Sequence, residues 1–451
     1  MASTEKRGKS YRIVVSLGYD IKGKQIKKQK KWTPSPKMSA NQIEKELEKQ
    51  AVIFEEECRL GRVLNGKIHF SVFADKWFKE YAEKQLKAST LSRYRGLIKR
   101  INQGIGHLAL EGIRPHHLME FYDNLGEIGV RDDIKYSIKS DFDSFSKKLE
   151  AIKAKLLNNH IISYTTLRSL ENGNNVNAAT AKKIAEAMGK PLGELFNEVG
   201  DGKLSAKTIG HYHRLISSIL SVAVQWQVII SNPCDRAKPP KVTKKIIRFL
   251  DEVKTKELLD LLKTERINYR LMITLLIFSG FRRGELLGLE WGDIDFDNER
   301  IYVRRNLLYL SEKGTYIDTG KTNASIRDIS ISESVIELLR QYKEWQDSER
   351  IKLGDRWVNS NRLFTSWCGE SINPGTLGSW FRRFTKKHEL DINIHGLRHT
   401  NATLLIAAET PLPTVADRLG HGNPSVTSST YTHAIPSRDE IAAKKLEDIL
   451  S

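Results

Sequence analysis

The sequence predicts a mixed α+β protein of several domains: a small β-rich domain at the N-terminus, a helical bundle with a helical insert, and a mostly α domain with a small antiparallel sheet. Three observations carry this expectation. The chain has 451 residues, enough for three or more domains and at least one sizeable core. Strand-like runs punctuated by glycine turns are confined to the first residues and to a stretch after Ile301. Elsewhere apolar residues recur at three- and four-residue spacing, the period of a helix with one buried face.

Residues 7 to about 35 alternate strand-like runs and turns: Tyr11–Val15, the turn at Asp20–Lys24, then a lysine-laden run ending at Trp32. A helix follows from about Ser39, with Ile43, Leu47, Ala51 and Phe54 on one face. Two or three strands rich in lysine suit a β-ribbon laid into a DNA groove, which makes Lys22, Lys24 and Lys28 candidate contacts. A solvated basic hairpin is the alternative. This domain spans residues 1–63.

The second domain, residues 68–240, begins with the stripe Phe70, Phe73, Trp77 and Tyr81. Ser89 is placed to cap a further helix with Leu91, Tyr94, Leu97, Ile98 and Ile101 inward, leaving Arg93, Arg95, Lys99 and Arg100 outside as phosphate contacts or solvated charges. Its closing helix runs from Ser205 to Trp226. Between these parts lies an insert, residues 128–202, with its own apolar periodicity. Lys238-Pro239-Pro240-Lys241 is a stiffened basic linker to the third domain, residues 245–451. There Leu258 to Leu262 and Leu271 to Phe278 mark helices, and Ile301–Val303, the turn Ser311–Thr315 and Ile326–Ile331 a small sheet. Further helices begin at a capping-box pattern on Ser334 and at Asn373-Pro374. Gly420 ends another, and Asn423-Pro424 starts the next.

A net charge of +18, from 73 Lys and Arg against 55 Asp and Glu, favours a polyanionic partner, most commonly nucleic acid. Cys58, Cys234 and Cys368 lie far apart and form no ligand pattern, so reduced structural thiols of a cytoplasmic protein are expected. The start lacks an apolar signal core, and the run Leu271 to Phe278 is too short to span a bilayer.

The chemistry-bearing stretch is the last sixty or so residues. Ile394-His395-Gly396-Leu397-Arg398-His399, Leu419-Gly420-His421 and Tyr431-Thr432-His433 place histidines, an arginine and a tyrosine in close succession. Tyr431 suits attack on a phosphodiester, because the phosphate ester it forms keeps the bond energy for reversal. With a phenol pKa near 10, it needs basic or cationic neighbours to lose its proton. Arg398 can grip phosphate oxygens, and His395 and His421 can move protons or donate hydrogen bonds.

Upstream stand Ser279-Gly280-Phe281-Arg282-Arg283-Gly284-Glu285-Leu286 and Thr319-Gly320-Lys321-Thr322. With the three later motifs, in this order, they resemble the catalytic domain of the tyrosine recombinases, the phage-type integrases, from about residue 245 onward. The resemblance implies that Arg282 and Arg398 clamp one phosphate, that Lys321 protonates the departing 5′ oxygen, that His395 accepts a proton from Tyr431 or its relay, and that His421 donates to a phosphate oxygen. Glu285 would orient an arginine, Arg283 would meet solvent or DNA backbone, and His399 would be a packed structural residue. Residues 7–63 resemble an AP2-like arm-binding domain, and residues 68–240 a SAM-like core-binding domain. The insert resembles part of a Cro/C1-type helix-turn-helix, which would bring Thr165 and Arg168, beside Tyr164 and Thr166, to base edges; a folded spacer that touches no DNA explains it equally well.

The function implied is a site-specific recombinase acting as the integrase of a mobile element, through a 3′-phosphotyrosyl intermediate and with no metal or other cofactor. Its partners would be double-stranded DNA at specific sites, a homo-oligomer of four protomers, and excision or host bending factors, with no membrane. A DNA-binding regulator and a type IB-like topoisomerase are the rivals.

Overall fold

The computed structural model describes residues 2–450 except 20–22, 37, 60–67, 132, 140–141, 201, 244–246, 320–325, 421 and 423–445. The chain divides into two compact units, Met1–Thr243 and Lys244–Ser451.

The first unit opens with antiparallel strands Ser3–Arg7, Ser10–Tyr19 and Gln25–Trp32, in that order across a sheet. The first precedes the run that the sequence marks: its five residues are all exposed and polar, so pairing with the second strand makes it a strand, with no apolar alternation to announce it. Helix Ala40–Arg59 closes one face, packing Phe54 and Cys58 on Ile13 and Val15. Lys30 pairs with Ile13 and Lys28 with Val15. Directly opposed residues share a face, so these lysines point to the helix side, where the Lys30 ammonium lies 5.7 Å over the Phe54 ring. Lys27 and Lys31, at alternate positions, are exposed.

Helices Phe70–Trp77, Ala88–Ile105, Pro115–Leu125 and Ala206–Gln225 enclose a second core containing Trp77, Ile101, Tyr122, Ile216 and Leu220. Ser205 caps the last of them, its hydroxyl accepting the Thr208 N–H at 3.2 Å. The cap expected at Ser89 is not made. Lys87 is the last extended residue, so Ser89 already lies in the first turn.

Residues 128–202 hold a separate core of Tyr136, Phe145, Leu149, Leu167, Leu170, Ile184 and Phe196, among others. Its helices are Phe142–Asn158, Tyr164–Glu171, Ala178–Met188 and the short Leu192–Leu195. The sequence predicts a helical insert, and here the structure differs by adding a small sheet. Strand Lys135–Ile138 lies between Val176–Asn177 and Phe196–Val199, and runs of two to four residues are too short to show alternation. The Arg131 N–H donates to Gly202 O at 3.2 Å, so the two roots of the insert meet.

In the second unit, helix Ile267–Ser279 is buried on nearly every side, from Leu271 through Ile277, and packs against helices Ile394–Ala407 and Glu333–Leu353. The small sheet is two sheets. Hairpin Arg305–Leu310 with Gly314–Thr319 stands apart from Ile294–Asp295, Arg300–Val303 and Arg327–Ser330, because Arg304 interrupts the run that would have joined them. Ser332, not Ser334, precedes helix Glu333–Leu353, without a side-chain cap bond. A helix starts at Asn373-Pro374 as predicted, Pro374–Lys387, and Asn373 caps it, accepting the Gly375 N–H at 2.8 Å. Gly420 ends Leu412–Leu419 in the left-handed conformation. The helix expected after Asn423 lies outside the described residues. Among those described, no helix is long and apolar enough to cross a membrane.

Candidate active site

The site is built where three helices meet. Helix Ile267–Ser279 ends at Gly280, whose φ of +67° reverses the chain. Two residues on, Arg282 enters the short helix Arg283–Leu287, and Glu285 reaches back to it: one carboxylate oxygen accepts the Arg282 N–H at 2.9 Å and the other the Arg282 guanidinium at 2.6 Å. Asn393 caps helix Ile394–Ala407 through the Gly396 N–H at 3.0 Å. His395, Arg398 and His399 then share one helix face, three and four residues apart.

Arg398 is 2% exposed. Its guanidinium donates to Gly280 O and to Leu419 O, each at 2.7 Å, while that of Arg282 donates to Gly420 O at 3.1 Å. The two cations thus meet adjacent carbonyls at the C-terminal end of helix Leu412–Leu419, where the last carbonyls have no partner within the helix. A guanidinium carries five donors, so one group can hold a carbonyl and a phosphate oxygen together. Arg282, with its side chain 40% exposed, is the more open of the pair.

Protein packed around His395 lowers its pKa from the ordinary 6.5, and the charges of Arg398 and Arg282 lower it further. It is therefore neutral at physiological pH and able to accept a proton. His399 touches the His395 ring edge to face at 4.7 Å, and burial first, then His395 and Arg398, push its pKa down to about 4. A cleft of about 410 Å³ opens beside His395, lined also by Phe281, Arg283, Phe381, Arg382 and Asn393.

Of the predicted catalytic residues, Arg282, His395 and Arg398 come together; Lys321, His421 and Tyr431 lie outside the described residues. Of the described residues next to them in the chain, Gly420 and strand Arg327–Ser330 belong to this site.

Among the predicted DNA contacts, Lys22 is outside the described residues, Lys24 is exposed, and Lys28 is half-buried on the helix side of its sheet. Arg93 and Lys99 are exposed on helix Ala88–Ile105, and Arg95 is paired with Glu83 at 2.8 Å. Thr165 and Arg168 are exposed on helix Tyr164–Glu171, behind the Ser163 cap.

The model of the phage integrase family matches residues 248–438, and that of the phage integrase N-terminal SAM-like domain residues 69–126. A XerC-like tyrosine recombinase of Caldanaerobacter subterraneus is 31% identical over 56% of this chain and 69% of its own length. The chain belongs to the tyrosine recombinases. The ICEBs1 integrase of Bacillus subtilis is 29% identical to this recombinase over 55% of the chain and 67% of its own length. The Tn1549 transposon integrase, solved in complex with transposon right end DNA, shares the fold, with a TM-score of 0.57 at 19% identity over 85% of this chain and all of that one. The recombinase is thus a DNA strand-breaking and rejoining enzyme of this family, with the mixed, helix-rich fold that the sequence predicts.

Three residues of the site escaped the sequence reading. Arg327, 8% exposed, forks onto Glu285 with its nearer contact at 2.9 Å and donates through Nε to Arg418 O at 2.8 Å. Arg418 returns bonds to Ser330 O and Phe278 O, and Asn401 donates to Ile277 O and Phe278 O. Their partners lie tens of residues away, so only the surplus of arginine beside a motif glutamate hinted at them.

Proposed function

We propose that the recombinase is the integrase of a mobile genetic element and that Tyr431 is its nucleophile. The Tyr431 phenolate oxygen bonds to the scissile phosphorus as the bond to the 5′ oxygen breaks, giving a 3′-phosphotyrosyl link and a free 5′ hydroxyl. His395 takes the phenol proton, directly or through a relay, and Lys321 delivers one to the leaving oxygen. Arg282, Arg398 and His421 hold the non-bridging oxygens and balance the charge that grows in the pentacoordinate transition state. Strand exchange between paired sites on double-stranded DNA calls for four protomers, working in the cytoplasm with excision or bending factors as helpers. Lys24, Lys27 and Lys31 of the N-terminal domain, and Arg93, Arg95 and Lys99 on the bundle, supply backbone contacts, and Thr165 and Arg168 of the insert read bases.

The observation that supports this reading most is the convergence of Arg282 and Arg398 on neighbouring carbonyls at Leu419 and Gly420, next to a neutral His395. A regulator that only binds DNA has no use for two arginines fixed this way. The test uses nicked suicide duplexes tiled from the DNA that flanks the chain's own coding sequence. The wild-type protein is expected to form a covalent adduct on one of them, and Tyr431→Phe none while still binding it. Binding without an adduct would make the protein a regulator; adducts at unpaired sites with relaxation but no crossed products would make it a topoisomerase.

A further inference from the structure

We propose that Arg327 is a positioning residue of the strand-transfer site, which leaves the positive charge of Arg282 available to the phosphate by sharing the charge of Glu285. The inference rests on the reading above, in which Arg282 holds a phosphate oxygen. Glu285 is a carboxylate 2% exposed, and it accepts from two guanidinium groups at once: from Arg282 at 2.6 Å, and from Arg327 at 2.9 and 3.4 Å. Two cations on one anion leave a net positive charge. With Arg327 absent, the same carboxylate would neutralise Arg282 alone, in a buried setting where such pairing is strong. The guanidinium would then be held to Glu285, when its task is to turn toward a phosphate.

Geometry gives Arg327 a second hold on the same place. Its Nε donates to Arg418 O, within the last turn of helix Leu412–Leu419, and Arg418 donates back to Ser330 O on the strand that Arg327 begins. This reciprocal pair fastens strand Arg327–Ser330 to the helix end whose next carbonyls, Leu419 O and Gly420 O, receive Arg398 and Arg282. One side chain therefore ties together the Glu285 carboxylate that holds Arg282, strand Arg327–Ser330 and the end of helix Leu412–Leu419.

A nicked duplex that the wild-type protein cleaves serves as the probe, with single-turnover adduct formation measured at saturating protein and affinity measured separately. Arg327→Ala should slow adduct formation on the order of 100-fold while the dissociation constant changes less than about twofold. The deciding measurement is the double variant Arg327→Ala with Glu285→Gln. Glutamine keeps acceptors for Arg282 but removes the negative charge, so the double variant should be faster than Arg327→Ala alone. If Arg327→Ala does not fold, Arg327→Gln, which can still donate to Arg418 O, takes its place with the same expectations. An unchanged adduct rate, a loss confined to affinity, or a double variant no faster than the single one would overturn the proposal. Failure of the wild-type protein to form an adduct on any tiled duplex would instead overturn the reading on which it rests.

Discussion

His399 shows how the residues beside the proposed catalytic groups make the site sensitive to acid. Its pKa stands at about 4 in the folded protein, against an ordinary value of 6.5, because burial and the neighbouring His395 and Arg398 penalise the imidazolium. As the pH falls below 6.5 the unfolded chain takes up a proton that the folded chain refuses. The stability is complete above pH 6.5 and is drawn down until the pH passes about 4. Glu285 adds a second decline at lower pH. Burial alone would raise its pKa, but Arg327 and Arg282 outweigh burial and bring it below the usual carboxylate value, so its contribution is present above the unfolded value and lost as the pH drops through the folded one. Urea denaturation midpoints measured from pH 7 to pH 4 should fall for the wild-type protein, and His399→Gln should flatten that fall. Parallel curves would show that the charged imidazole is tolerated where it stands.

At the scale of elements, the site depends on how closely three helices approach at Gly280. A Cβ there would lie 2.6 Å from Leu419 Cδ2 and 2.7 Å from Asn401 Oδ1, on a backbone with φ +67°. Gly280→Ala therefore incurs left-handed strain, about 1 to 2 kcal/mol, and must also displace the side chains of Leu419 and Asn401. A lower melting temperature is expected together with slower adduct formation, because the strained residue is the one whose carbonyl holds Arg398; a variant with unaltered rate and melting would mean that the junction yields easily. Much of this architecture is legible in the sequence. The run Leu271 to Ile277, the glycine after it and the caps at Ser205 and Asn373 are local signals, and local signals survive in a sequence. What stayed hidden is non-local. Strand Ser3–Arg7 exists only through its neighbour, the insert's sheet is assembled from segments of four, two and four residues, and Arg327 finds its carboxylate 42 positions upstream. The motif histidines and arginines were readable as residue types, but their convergence on the carbonyls of Leu419 and Gly420 was not.

For the whole molecule, the arrangement of the insert bears on what can be removed. Residues 128–202 carry their own core, and their roots meet where the Arg131 N–H reaches Gly202 O. A folded body entered and left at one point can be excised without pulling on its host, since only a short loop is needed to rejoin the ends. Basic and acidic residues nearly balance within it, whereas the chain as a whole is strongly basic. Non-specific attraction to DNA therefore resides elsewhere, and the insert's part in binding would be discrimination, through side chains such as Thr165 and Arg168. Replacing residues 131–201 by a short glycine-serine loop should leave the melting temperature of the catalytic unit unchanged and the adduct rate on a minimal nicked core within about twofold, because the Arg327 clamp and the arginine pair are built from residues of the second unit. On longer duplexes the deletion should shorten the footprint at a subset of sites, and Arg168→Ala should reproduce that loss in part. Footprints identical across wild type, deletion and Arg168→Ala would make the insert a spacer, while loss of cleavage on the minimal core would show that the bundle needs it to hold its shape.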